Sequence, residues 1–232
     1  MEVKIRLKAF MGALLCTYAL LLGGHILALY FLIQLERPNA LGIVPVFHFD
    51  REANLPTLFS GFQLACAGLC AFGISKFERS KSGGSPRHWF IIGCILLFIG
   101  IDDMAHLHEN LDTIIMSRVE TSGLIHWPWV IPYSILALIV AGYFLPFFLK
   151  LPSHLKFYFA LSAGMFVTGA IGLEMFAARH AQKFGEETTT YAIFMTIEES
   201  LEMLSITLLL YGLLSHMVKH LGGLRGHFEV SR

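Results

Sequence analysis

Seven carboxylates fall inside or at the edge of stretches otherwise apolar enough to cross a membrane. They are Asp102, Asp103 and Glu109 in one stretch, Glu174 in a second, and Glu198, Glu199 and Glu202 in a third. His106 and His108 share the first stretch, and no Lys or Arg sits beside these acids at mid-span. A charged residue at the centre of a membrane helix costs about 2.5–3.5 kcal/mol on insertion scales. Seven of them call for compensation by protons, water or a bound cation. Carboxylate-rich, imidazole-poor sets on facing helices are the chemistry of di-iron and di-manganese bundles, where bridging carboxylates neutralise two divalent cations. Zinc takes the same mixed His and carboxylate donors. The spacing is neither the Glu-x-x-His of the soluble di-iron proteins nor the His-Glu-x-x-His of zinc proteases. Ligand type and shared depth therefore carry the metal reading, with Fe, Mn or Zn as the divalent ion.

A continuous helix advances about 100° per residue. On that basis Asp102, His106 and Glu109 share one face, with Asp103 and His108 to either side. Glu198 and Glu202 share a face that Ser205 continues, and Glu199 lies close to it. These positions predict metal ligands at Asp102, His106, Glu109, Glu174, Glu198 and Glu202. Glu199, Asp103 and His108 are left as further ligands, orienting groups or the general base. Two other readings use the same residues. The acids can occupy a water-filled interfacial crevice, paired with Arg118, Arg179 or His180, with no metal. They can also form a proton or cation pathway, since intramembrane Asp, Glu and His are the parts of proton relays.

The elements that must position these groups follow from hydropathy. The chain has 232 residues, 55% hydrophobic and only 15% charged, against about 25% charged in soluble domains. It reads as an all-α polytopic membrane protein, a single integral domain over residues 1–232. A spanning helix needs about 20 apolar residues, and six segments qualify: 10–33, 57–77, 89–112, 128–149, 156–178 and 190–216. Zero net charge argues against a nucleic-acid partner; the partner is the lipid bilayer. Cys16, Cys66, Cys70 and Cys94 all lie in apolar spans and form no extracellular disulfide framework. Twelve of the 17 Lys and Arg lie at the two termini and in the second–third and fourth–fifth loops, five in the remaining loops. By the positive-inside rule both termini are cytoplasmic. The acids of the third, fifth and sixth spans then share one depth in the outer half. The first outer loop, Phe47 to Pro56, is polar and aromatic and reads as a lid or an ordinary loop. Gly164, Thr168 and Gly172, four residues apart, predict close helix packing that brings Glu174 inward.

The set Asp102-Asp103 with His108-Glu109, Gly172-Leu173-Glu174 and Glu198-Glu199-Ser200-Leu201-Glu202-Met203 resembles a group of uncharacterised bacterial multi-pass membrane proteins. In that group the first motif reads Asp-Glu, four residues, His-Glu; this chain has Asp103 in place of the Glu. The stretch Asp50 to Ser60 extends the likeness over residues 45–215. The resemblance implies a bacterial inner-membrane protein with a site facing the exterior or periplasm, and it supplies no activity. The expected function is divalent-metal binding in support of hydrolytic or redox chemistry on a lipidic or other apolar substrate. The alternatives are a proton- or cation-coupled transporter and a non-catalytic subunit of a membrane complex.

Overall fold

A computed structural model describes residues 3–51, 53–82, 84–220 and 228–231, and the side chains of all of these except 3–6, 109, 220 and 228–231. The side chain of Glu109, expected as a ligand, thus lies outside the described residues. Six helices are long and apolar enough to cross a membrane: Leu7–Gln34, Leu55–Glu78, Pro86–Ala105, Val130–Phe148, Ser153–Phe184 and Thr189–Lys219. Each overlaps a segment expected from hydropathy. In chain order the elements are β1 (Val3–Arg6), α1 (Leu7–Leu29, extended by a π-helical turn Tyr30–Gln34), α2 (Ile43–Phe47), α3 (Leu55–Glu78), α4 (Pro86–Ala105), α5 (Leu107–Met116) and α6 (Val130–Phe148). They continue with α7 (Ser153–Val167), a π-helical turn Thr168–Leu173, α8 (Glu174–Phe184), α9 (Thr189–His220) and β2 (Phe228–Ser231). Apart from the four-residue parallel pairing of β1 with β2, the fold is helical. That pairing sets residues 3–6 beside residues 228–231.

The helix boundaries have local causes. The Asn54 side chain accepts from the Thr57 backbone N–H at 3.1 Å and caps α3, with Pro56 in the first turn. Pro86 opens α4, and its carbonyl accepts from Ser75 Oγ at 2.7 Å, closing the turn from α3. The helix expected to run to residue 112 stops early: His106 has φ 55° and ψ 38°. This left-handed conformation is uncommon outside glycine, though histidine is among the residues that adopt it. The His106 carbonyl is held by Asn110 Nδ2 at 2.8 Å. α5 therefore leaves in a new direction, and the continuous helical face expected through Asp102 and His106 is broken at His106.

α9 is the most buried span and α3 the next. Leu64, Ala67, Ala71 and Ile74 of α3 meet Met203, Ile206, Leu210 and Leu213 of α9 in the core. Lipid tails are as apolar as leucine, so packing and hydrogen bonds rather than hydrophobic burial hold such helices together. Gln63 Nε2 donates to Thr207 Oγ1 at 2.6 Å across the α3–α9 contact. The closest seam is α3 against α4. A Cβ on Gly93 would stand 2.4 Å from the Phe72 ring, and one on Gly61 2.8 Å from Met104 Sδ. The Gly164, Thr168, Gly172 series does not play this part. A Cβ on Gly164 would meet nothing within 4 Å, and one on Gly172 only its own helix. The π-helical turn at Thr168–Leu173 adds a residue to one turn and shifts the phase, so Gly169 faces α9 instead. A Cβ there would stand 3.0 Å from the Glu198 carbonyl oxygen.

The first loop is pinned by His25, which is fully buried. Its Nδ1 accepts from the Phe49 backbone N–H at 3.1 Å, which leaves Nε2 carrying the hydrogen that Thr196 Oγ1 accepts at 2.9 Å. The ring stacks on Phe49 at 4.1 Å and meets His48 edge-on at 5.2 Å. Asn54 Nδ2 donates to the carbonyls of His48 and Arg51. Burial foremost, and the Arg51 guanidinium second, hold the His48 imidazole down at about 4.

Two outcomes follow for this scaffold. Gly93→Ala should destabilise by about 1–3 kcal/mol, the range for overpacking, while Gly164→Ala should leave the thermal transition unchanged or raise it; equal effects would contradict the seam. For His48, a folded-state value below the unfolded one means that the stabilisation is complete above about 6.5. It is lost as pH falls from there through about 4. Hydrogen-exchange protection at Phe49 and Asp50, corrected for intrinsic rates, should drop over that window in wild type and less in His48→Asn.

Candidate functional site

The end of α4, the junction of α7 with α8 and the first four turns of α9 come together around one cavity of about 1320 Å³. Asp102, Asp103, His108, Glu174, Glu198, Glu199 and Glu202 all line it. The first loop contributes Asp50 and Arg51, α5 contributes Asp112, and Glu186 stands at its rim before α9. Nine carboxylates thus border the cavity, and Arg51 is the single Lys or Arg that does so among the described residues. Arg118 and Arg179, expected as alternative partners, are not lining residues. His180 bonds to Thr188 at 2.7 Å.

Asp102 is held from two elements. Tyr133 of α6 donates its hydroxyl to Oδ1 at 2.6 Å, and His108 Nδ1 lies 3.1 Å from Oδ2. The break at His106 brings His108, rather than His106, onto Asp102, and His106 does not line the cavity. With Asp102 ionised, Nδ1 of His108 carries the hydrogen and Nε2 is the basic nitrogen. The imidazole also lies against Trp129, with centroids 4.7 Å apart.

Glu174 is placed by the π-helical turn that ends beside it. Trp129 Nε1 donates to its Oε1 at 3.3 Å, and the Glu174 and Glu198 carboxyls are close enough to interact electrostatically. Asp103 lies near Ser60 of α3. Glu202 is within electrostatic range of Asp103 and Glu174, and Glu199 of Glu202, Asp103 and Asp50. Two carboxylate oxygens, Asp103 Oδ2 and Glu198 Oε2, are buried with no hydrogen-bond donor among the described residues. Acceptors of that kind suit hard or borderline cations. No three His, Cys, Asp or Glu side chains among the described residues already stand together as a metal site.

Several groups of this site escape a reading of the sequence. Tyr133 and Trp129 look like ordinary members of an apolar span and an interfacial belt, yet both are donors to acids. The available signal is that a Tyr or Trp placed in an apolar setting needs a polar partner for its O–H or N–H. Asp50 accepts from the Tyr191 hydroxyl at 2.9 Å, and Asp112 accepts from the Trp129 backbone N–H at 2.6 Å.

No curated protein and no solved structure matches the chain. One family model, described as a domain of unknown function (DUF8692), matches residues 11–217, a span that reaches into all six membrane-length helices and contains every described acid of the cavity. The chain belongs to the DUF8692 family.

Proposed function

We propose that the chain binds a divalent cation at the acid-lined end of its cavity and uses it for hydrolytic or redox chemistry on an apolar substrate. The observation that supports this is the pair of buried oxygens, Asp103 Oδ2 and Glu198 Oε2, with no donor among the described residues, in a cavity that these residues line with nine carboxylates and one guanidinium. Glu174, Glu198 and Glu202 are the proposed ligands, with Asp103 and Glu199 beside them. A short inward swing of these flexible side chains gathers them around an ion of Fe, Mn or Zn. A bound cation of this class supplies Lewis acidity or redox capacity. His108 is the proposed general base, taking a proton on Nε2. Asp102, with an oxygen on His108 and an oxygen on Tyr133, is better suited to orienting that imidazole than to ligating. A conducting pathway would need ionisable groups along the rest of the cavity, where the walls are Phe, Ile, Leu and Ala; this favours an enzyme over a transporter. The bias of basic residues supports cytoplasmic termini and a site facing outward, in a bacterial inner membrane.

Purified protein should carry about one or two transition-metal ions per chain, as carboxylate-bridged sites do, and Glu198→Gln should strip them. A metal-free preparation whose thermal transition ignores added Zn, Mn and Fe would sink the reading. Orientation is tested separately. Single cysteines replacing Glu120 and Ser82 in a cysteine-free background should label from outside and inside respectively, and the reverse pattern inverts the topology.

A further inference from the structure

Past Asp102 and Asp103 the cavity continues between α4, α6 and α7, walled by Phe90 and Ile95, Phe144 and Phe148, and Phe159 and Phe166. Ala137 and Ala141 of α6 and Ala160 and Ala163 of α7 line it as well. Small residues at such spacing ordinarily let two membrane helices close on each other. Here α6 packs its backbone extensively against no other element among the described residues, and the alanines border open volume instead. α6 is held at its ends, by Tyr133 on Asp102 and by Phe147 against His88 and Trp89. The volume exceeds the roughly 300–1,000 Å³ of common small-molecule sites.

Length and polarity say what such a space accepts. From Asp103 to Phe90 the α4 wall runs about 20 Å at 1.5 Å per residue, more than the roughly 15 Å that one leaflet contributes to the hydrocarbon core. A saturated chain of bonds near 1.5 Å, set in a zigzag, gains about 1.25 Å per carbon. Sixteen carbons therefore fill this wall. The polar end closes on Glu198, 5% exposed, with its donor-less Oε2, and on the carboxylates around it. A head that donates hydrogen bonds, an amine or a hydroxyl, complements that end.

We infer that the compartment takes the single apolar chain of a membrane amphiphile, which slips in sideways from the bilayer between α6 and α7 and presents its donor-bearing head to the carboxylates. This deepens the reading above by naming the substrate class, and it rests on the same site. The test is photolabelling of the full chain in nanodiscs with hexadecylamine carrying a diazirine at the chain end. Label should map to the wall near Phe90, Phe148 and Phe159 and be displaced by excess unlabelled hexadecylamine. A hexylamine analogue should label near Ile99 and Tyr133 instead. Ala141→Phe and Ala163→Phe should each cut hexadecyl labelling of the wall about tenfold, because an added ring occupies space the chain needs, with the thermal transition and metal content kept. Label spread equally over lipid-facing residues such as Leu20 and Leu69, or undiminished in both variants, would overturn the inference. The wild-type map decides even if a variant fails to fold. Wall labelling in a preparation that never binds metal overturns the cation reading alone. Metal binding without wall labelling overturns this inference alone.

Discussion

Carboxylates held in a low-dielectric layer repel one another strongly. Two unit charges 4 Å apart differ by about 4 kcal/mol even at an effective dielectric of 20. Among the described residues nine of them border one cavity with a single guanidinium, so protons, water or a cation must offset their charge for the helices to meet. The protein supplies only part of the compensation. Tyr133 of α6 and Tyr191 of α9 each give one hydrogen bond to one acid, and Trp129 gives two, from its indole to Glu174 and from its backbone N–H to Asp112. These bonds also do mechanical duty. α6, which has no extended backbone packing, is tied to the bundle at this end through Trp129 and Tyr133, so the state of the acids and the position of α6 are linked.

The two sides of α4 show opposite solutions to helix contact. Toward α3, glycines remove the side chains and the backbones close, leaving Phe72 and Met104 to fill the seam. Toward α6 and α7, phenylalanines and alanines surround a space that no side chain fills. Close packing on one flank and open volume on the other give a wall carrying Asp102 and Asp103 that faces a helix held at its two ends.

How much of this the sequence discloses depends on the kind of signal. Six spans were legible because twenty apolar residues are their own signature. The acids were legible because a carboxylate in such a run has no ordinary explanation. What failed was phase. A single left-handed residue at His106 exchanged His106 for His108 as the partner of Asp102, and one π-helical turn moved the α9-facing small residue from the Gly164 series to Gly169. Neither change alters composition or spacing, so a projection at a constant 100° per residue cannot register them. The donors Tyr133 and Trp129 were hidden for a different reason: their apolar bodies match the hydropathy of a span, and their polar tips count for little in it.

The π-helical turn carries an implication for sequence change in this family. A wide turn is an insertion that the helix absorbed without breaking. Removing one residue between 168 and 173 would restore regular α-helical winding and leave α8 in phase, with Glu174 still turned to the cavity and Ala177 still packed against Tyr191 and Met195. What it would remove is the wide turn and the close approach of Gly169 to the Glu198 carbonyl. Removing one residue from the regular winding of α7 would instead rotate α8 by about 100°, taking an acid out of the cavity and unseating a helix at once. Tolerance of a single-codon deletion along this span therefore differs sharply between the wide turn and the regular helix before it.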